Sequence, residues 1–449
     1  MIGNLLKPEL LDMIQRREFS QLREALAHFP PADVAEIFSQ LDPEEKAILL
    51  RILPTELAAD VFEYLSFEEQ EKLLLALGNE KVAQILNEMT PDDRTAILKE
   101  LPARVTQRLL TLLSPEERKI AVQLLGYPEE SIGRRMTPEY VAINESWTIS
   151  EVLGYLRKVG KERETLNELF VIDGAGKLAG SVQLHEVVTA ELDMPVSQLI
   201  QAPAMSLKVT DDQETAVQAF KKYDRTTLPV VDPRGVLLGV VTVDDVLDVA
   251  EQEATEDFHK GGGIEPLTTS LSKARFRDLY NRRISWLVIL VFVNIFSGAG
   301  IALFEDLIAS VVALVFFLPL LIASSGNAGA QSATLIIRSF AVGEIQMRDY
   351  VRVLSRELWV AMALGLTLTA TVFPLALWRS GLNVAIVVGI SMLIVVFIGS
   401  IVGMSLPFIL RRFNLDPAAA SSPLVTSLAD ISGVLIYLSI AKALLDMTA

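Results

Sequence analysis

The 449-residue chain has no cysteine, which excludes disulfides, thiolate zinc sites and iron–sulfur clusters. Its three histidines, His28, His185 and His259, are too scattered in sequence to suggest a histidine metal cluster. There is no P-loop, metal-hydrolase signature or activated nucleophile, so an enzyme is not expected. Long apolar runs are missing before residue 283, and acidic residues outnumber basic ones there. Of 56 acidic and 40 basic residues, only 8 and 10 lie in 281–449, which leaves residues 1–280 with a net charge of −18. Such a surface repels nucleic acid and anionic lipid and attracts cations. The first residues lack the apolar core of a secretory signal, so the N-terminus is expected to stay in the cytoplasm. The length suits about three domains.

What is present begins with a repeat. From about 30 to 125, breaks recur every 12 residues, at Pro30, Asp42, Pro54, Ser66, Gly78, Thr90, Pro102 and Ser114. Asp42/Glu45, Ser66/Glu69, Thr90/Asp93 and Ser114/Glu117 have capping-box spacing. Pro43, Pro91 and Pro115 stand where a first helical residue needs no N–H. The spacing predicts a stack of short helices, a small helical solenoid, each burying a Leu/Ile stripe on its neighbours. Nothing in it requires a ligand.

Residues 136–195 and 195–254 resemble each other at an offset of 59: Val171–Asp173 matches Val230–Asp232, Gly176 matches Gly235, and Gly180 matches Gly239. Each copy reads as a β-branched strand, an acidic cap and a helix. The pattern resembles a tandem pair of cystathionine-β-synthase (CBS) domains. That resemblance implies a regulatory module that often binds adenine nucleotides, the acid after the strand contacting ribose. Asp245 holds this place in the second copy and Glu186 in the first, which leaves ATP open as a ligand beside a pair that binds no nucleotide.

Five apolar stretches follow, at about 285–304, 308–340, 358–378, 383–410 and 423–445, each long enough to cross a bilayer of about 30 Å. Arginines cluster before the first, between the second and third, and between the fourth and fifth. The positive-inside rule then puts the N-terminus in the cytoplasm and the C-terminus outside, a multi-pass protein of the cell membrane. The second stretch is too long for one upright span. It contains Gly326, Asn327 and Gln331, which predict close helix packing or a helix break facing a cavity.

In the fifth stretch the one mid-helix charge is Asp430. At helical spacing Ser422, Thr426, Asp430 and Gly433 share a face, the small polar wall that a cation pore needs. None of the spans has a basic residue near its middle to pair with it. A pore on a two-fold axis would bring two Asp430 carboxylates together, an arrangement suited to a hydrated divalent cation.

Gly326-Asn-Ala-Gly-Ala-Gln-Ser-Ala-Thr-Leu-Ile-Ile-Arg338 and Asp416-Pro…Ser422-Pro-Leu-Val-Thr-Ser-Leu-Ala-Asp430-Ile-Ser-Gly-Val-Leu-Ile-Tyr437 resemble the MgtE family of magnesium channels, and the likeness covers nearly the whole chain. It implies a multidomain, α-rich fold: a helical repeat domain over 1–130, an α/β tandem CBS pair over 131–254, a connecting or plug helix over 255–283, and a five-helix transmembrane domain over 284–449. It further implies a homodimer with Asp430 binding hydrated Mg²⁺ in the pore and Asp416 near the cytoplasmic mouth. Some members carry Asn where this chain has Ser422. Asp60 and Asp92 in the N domain, with Asp212, Glu214, Asp224, Asp245, Asp248, Glu253, Glu256 and Asp257, are then expected as Mg²⁺ sensors that close the pore. Asp245, Asp248, Glu253, Glu256 and Asp257 fall within about half a turn of helix azimuth and crowd like charge until a cation bridges them.

Two other functions stay open at this point. A CBS-regulated secondary transporter would show sodium- or proton-dependent uptake. A membrane-anchored adenylate sensor would bind ATP without ion flux.

Overall fold

The computed structural model describes residues 2–160, 163, 165–200, 205–267, 271 and 274–445, the side chains of residues 2–5 excepted. It forms two compact units, Met1–Ala250 and Glu251–Ala449.

The first unit opens with short helices: α1 (Ile2–Gln15), α2 (Phe19–Leu26), α3 (Pro31–Ser39), α4 (Pro43–Ile52), α5 (Thr55–Glu63), α6 (Phe67–Ala76), α7 (Asn79–Glu88), α8 (Pro91–Glu100), α9 (Ala103–Leu110) and α10 (Pro115–Leu125). From α3 onward every N-cap is one of the breaks read from the sequence. The caps work locally. Glu45 accepts the Asp42 N–H at 2.9 Å, Thr90 Oγ1 donates to Asp93 at 3.0 Å, and Ser114 Oγ accepts the Glu117 N–H at 3.2 Å. Alternate helices stack: α3 on α5, α5 on α7, α4 on α6, and α8 on α10. Ile37, Phe38, Leu49, Leu50, Val61, Phe62, Ile85 and Leu86 form the continuous core between the layers.

Two pseudo-equivalent sheets follow. In one, β1 (Ala142–Asn144) runs parallel to β2 (Glu168–Ile172), which pairs antiparallel with β3 (Leu178–Gln183). In the other, β4 (Leu207–Lys208), β5 (Thr227–Val231) and β6 (Leu237–Thr242) repeat the order. Even the bulges correspond, between Val171 and Ile172 and between Val230 and Val231. Each hairpin turn has a glycine at positive φ, Gly176 at 77° and Gly235 at 83°. The turns exchange hydrogen bonds across the pseudo-two-fold: Leu178 N–H to Gly235 O at 3.0 Å, and Leu237 N–H to Gly176 O at 3.1 Å. The helices are α11 (Ile149–Val159), α12 (Leu184–Thr189), α13 (Gln213–Tyr223) and α14 (Val243–Gly261). Because α14 runs unbroken from 243 to 261, the expected boundary at 254/255 falls inside a helix. Among the described residues of 255–283, those up to 261 belong to α14 and those from 276 are the first turns of the next long helix.

The second unit contains α15 (Phe276–Ala302), the short α16 (Glu305–Ser310), α17 (Ala313–Ala341), α18 (Tyr350–Arg412) and α19 (Ser422–Leu445). Among the described residues, four helices are long and apolar enough to cross a membrane, where the sequence suggested five stretches. The difference lies in α18. Its 63 residues would reach about 95 Å as a straight rod, and it is broken at Gly381, whose φ of 82° and ψ of 177° only glycine adopts without strain. The two halves fold back on each other: Thr369 Oγ1 donates to Gly389 O at 3.1 Å, and Gly365 lies against Leu393. The helices α17, α18 and α19 pack mutually, and α15 joins through α19.

In the helical repeat, equivalent positions on alternate helices carry Lys46, Gln70 and Arg94, all buried. Lys46 pairs with Glu69, and Gln70 Nε2 donates to Phe62 O at 2.8 Å. Arg94, 0% exposed, pairs with Glu117 and donates to Leu86 O at 3.0 Å. Removing one partner of a buried pair strands the other charge, so Arg94→Ala is expected to cost about 3–5 kcal/mol and to speed amide exchange in α8 and α10 by roughly two to three orders of magnitude. Exchange mass spectrometry on the full chain checks this. The exposed Arg16, paired with Asp12 at 2.9 Å, is the control and should change little on truncation.

Candidate metal sites in the two units

In the first unit, carboxylates from the helical repeat meet those that begin α14. Asp92 sits in the first turn of α8, where the helix dipole favours an acid. It is buried, its carboxyl bonds that of Asp245, and its Oδ1 has no hydrogen-bond partner. Burial, followed by the charge of Asp92, raises the Asp245 pKa well above the ordinary carboxylate range, and burial raises that of Asp92. Two carboxyls in this contact must share a proton or a cation. Around them, burial and Asp93 push Glu63 up to about 8, and burial and Asp92 push Asp93 up to about 6, with Asp244 and Asp248 adding to the latter. Asp60 on α5 is raised by burial and by Glu56 and Glu88.

The expected sensors therefore separate. Asp60, Asp92, Asp245 and Asp248 belong to this acidic junction. Asp212 instead caps α13, its Oδ1 accepting the Glu214 N–H at 2.9 Å. Asp224 ends the same helix at a left-handed φ of 54°. Glu63, Asp93 and Asp244 were missed as site residues. Asp93 was legible only as a cap partner, and nothing in the sequence brings Glu63 beside it. Among the described residues no group of three or more His, Asp or Glu side chains is arranged to hold a metal ion.

Asp245, the residue expected to contact ribose, is engaged within the fold. Its carboxylate accepts from Thr242 Oγ1 at 2.7 Å and faces Asp92. In the first copy, Glu186 accepts the Gln183 N–H at 2.9 Å and so caps its own helix. Between the copies lies a cleft of about 560 Å³ whose lining includes Glu168, Leu184, His185, Val188, Asp224 and Arg225. The buried Glu168 accepts from Ser181 at 2.6 Å and from Arg225 at 3.2 Å.

In the second unit, α17 runs unbroken through 326–331, so of the two arrangements open in the sequence, close packing or a helix break, it is packing that the structure has. The small residues serve contact. A Cβ on Gly403 would lie 2.0 Å from Gly329 O, and one on Gly399 2.4 Å from Ser325 O, so α17 and α18 touch backbone to backbone. On the α19 side a Cβ on Gly326 would lie 2.8 Å from the Thr426 methyl and 3.3 Å from Asp430 Oδ1. Asp430 is half-buried, and its Oδ1 is enclosed with no hydrogen-bond partner. Among the described residues no basic side chain pairs with it. Asn327 and Gln331 are exposed on the surface of the single chain, and Ser422, partly exposed, starts α19.

Asp416 precedes a 3₁₀ turn, its Oδ1 accepting the Ala418 N–H at 2.8 Å. Its Oδ2 accepts from Lys260 Nζ at 2.6 Å. Lys260 also pairs with Glu256, one turn back on α14. Asp257 is half-buried, and its pKa is raised first by burial and then by Asp416. Glu253 lies partly buried on the same helix. Lys260 was missed by the sequence reading, although its i,i+4 spacing from Glu256 was visible. Glu357, just outside the expected third stretch, also lies within α18 and neighbours Ser332 and Ser400.

Comparison with known proteins covers both units. A family model described as a divalent cation transporter matches residues 318–440, that of the MgtE intracellular N domain matches 29–130, and that of the CBS domain matches 130–193 and 196–251. The magnesium transporter MgtE of Thermus thermophilus is 39% identical over 440 residues, 97% of this chain and 98% of its own. That of Bacillus subtilis is 35% identical over 72% of each chain. Among solved structures, the cytosolic domain of the Mg²⁺ channel MgtE in complex with ATP aligns at 37% identity with a TM-score of 0.51, over 54% of this chain and 98% of that one. The soluble part of a magnesium transporter aligns at 28% identity with a TM-score of 0.54, over 56% and 99%. With a relative this similar along nearly its whole length, the chain belongs to the MgtE family of magnesium transporters.

Proposed function

We propose that the chain is a Mg²⁺ channel, a homodimer with its pore at the subunit interface, closed from the cytoplasmic side when Mg²⁺ binds its acidic clusters. Asp430 carries the pore reading. A carboxylate within an apolar helix costs at least about 2.5–3.5 kcal/mol on insertion scales, so it needs a partner or a pathway. Among the described residues its enclosed Oδ1 has no hydrogen-bond partner, and Gly326 and Thr426 lie beside it. A second copy would supply a second carboxylate, and a pair of them suits a hydrated divalent ion that keeps its water. Asn327, Gln331 and Ser422 are accessible on one chain and available to such an interface.

Counting α18 as two passes on either side of Gly381 gives five crossings with α15, α17 and α19. The arginine-rich loops then lie inside, with the N-terminus cytoplasmic and the C-terminus outside. The exposed apolar residues of α15, among them Val291, Ile295 and Phe296, suit contact with lipid.

Closure is attributed to the acidic clusters. The orphaned Asp92 Oδ1 and the raised carboxyls around it accept either protons or a divalent cation, and a cation turns their repulsion into bridging. Asp212, Glu214, Asp224 and Glu253 remain candidate ligands through contacts with a second copy.

The ATP of the relative's soluble domain does not carry over by fit. Among the described residues lining the cleft between the CBS copies there is no Phe, Tyr or Trp to stack on a base. The Arg225 guanidinium in its lining is already engaged by Glu168, and Asp224 adds a second carboxylate that repels a triphosphate. No step of the proposed cycle depends on a nucleotide.

Three outcomes are expected. Asp430→Ala in liposomes should lose Mg²⁺ flux, or its selectivity, by on the order of tenfold or more; undiminished selective flux would remove Asp430 from the pore. For the acidic junction, raised carboxyls mean that the docked state holds more protons than the undocked one. Docking without Mg²⁺ is therefore strongest in acid and weakens as pH rises from the ordinary carboxylate range through the values of about 6 for Asp93 and about 8 for Glu63. Mg²⁺ should protect the α8 amides from exchange more at high pH than at low, and equal protection at both ends would contradict the assignment. Finally, Mg²⁺-free ATP titrated to about 1 mM should give no saturable heat, and binding in the micromolar range would show that the cleft accepts it.

A further inference from the structure

The end of α14 is docked within the second unit by more than charge. Gly263, at a φ of 70°, leaves the helix so closely against Trp286 that a Cβ there would lie 2.5 Å from the indole, with Pro423 of α19 beside it at 3.4 Å. The Ile264 N–H returns to His259 O at 2.9 Å, and the Glu265 N–H reaches Arg282 O at 3.1 Å on α15. Next to this tight turn, Lys260 Nζ lies 2.6 Å from Asp416 Oδ2 and also bonds Glu256, with Asp257 close enough to feel the Asp416 charge.

The cluster thus contains three carboxylates and one ammonium on a flexible stem. Without the ammonium, Glu256 and Asp257 would drive the end of α14 away from Asp416. With it, the contact forms from the chain's own charges. The charge left over is that of two carboxylates, which one divalent ion would neutralise.

We propose that Lys260 is a built-in counter-ion that holds the end of α14 on Asp416 when Mg²⁺ is low, so that the pore is partly restrained before any metal binds. A divalent ion arriving at Asp257 and Asp416 then reinforces a contact already made, and displaces the ammonium from Asp416. The lysine acts through the position of α14, not on the permeating ion. This inference rests on the gating reading above.

The test compares wild type, Lys260→Met and Lys260→Arg in liposomes with a Mg²⁺-free interior, together with amide exchange of residues 261–264. Lys260→Met should raise Mg²⁺ flux about threefold to tenfold, from the loss of a partly exposed charge pair, and should speed exchange in that segment. Lys260→Arg keeps the charge and should resemble wild type in both. Unchanged α17 exchange in the methionine variant shows that the unit is still folded. Unchanged flux and exchange in Lys260→Met, beside a wild type that internal Mg²⁺ does shut, would overturn the role of the lysine and leave the gating reading intact. A wild type that internal Mg²⁺ fails to shut would remove the gating reading instead.

Discussion

A carboxylate taken out of water must find a proton, a donor or a cation, and each unit is arranged around groups left with that choice. Asp92 and Asp245 meet where burial raises the pKa of both. Asp430 lies in an apolar helix with one enclosed oxygen unbonded. Asp416 has been answered by a lysine. The rest of the fold keeps these groups from escaping to solvent: short capped helices fix Asp92, a strand-to-helix turn fixes Asp245, and glycine contacts fix Asp430.

This division of labour puts the expensive groups on stiff elements. Asp92 and Asp245 each begin a helix, where the dipole offsets part of the cost of a buried acid. Side chains that line open surface, such as Asp224 in the cleft, have local duties at a helix end. The same residue type thus serves as a helix cap, as part of a buried acidic junction and as a lone carboxylate within an apolar helix, and only its surroundings decide which.

The helix starts of the repeat were legible residue by residue, because a Pro, Asp, Ser or Thr cap acts through neighbours three positions away. The doubled strand–helix module was legible for a related reason: its turns need glycine at Gly176 and Gly235, and that need is written at fixed spacing. Asp430 stood out since a lone charge in an apolar run has no local explanation. What stayed hidden depends on contacts between distant segments. Glu63 joins the acidic junction only because the end of α5 comes beside the start of α8, where the Thr90 N–H donates to its carboxylate at 3.4 Å. Lys260 reads as an ordinary i,i+4 partner of Glu256 until Asp416, far along the chain, arrives beside it. Gly326 read equally well as a break or as a contact, and choosing between them required the position of Thr426.

The glycine contacts have a mechanical consequence. Where Gly403 meets the carbonyl of Gly329 and Gly399 that of Ser325, there is no side-chain layer to deform, and sliding one helix by a fraction of a turn would drive Cβ atoms into backbone. The helix α17 and the second half of α18 are therefore locked together as a stiff pair. Movement within the second unit then has to tilt these helices together, and the compliance resides in the segments that join them to the rest.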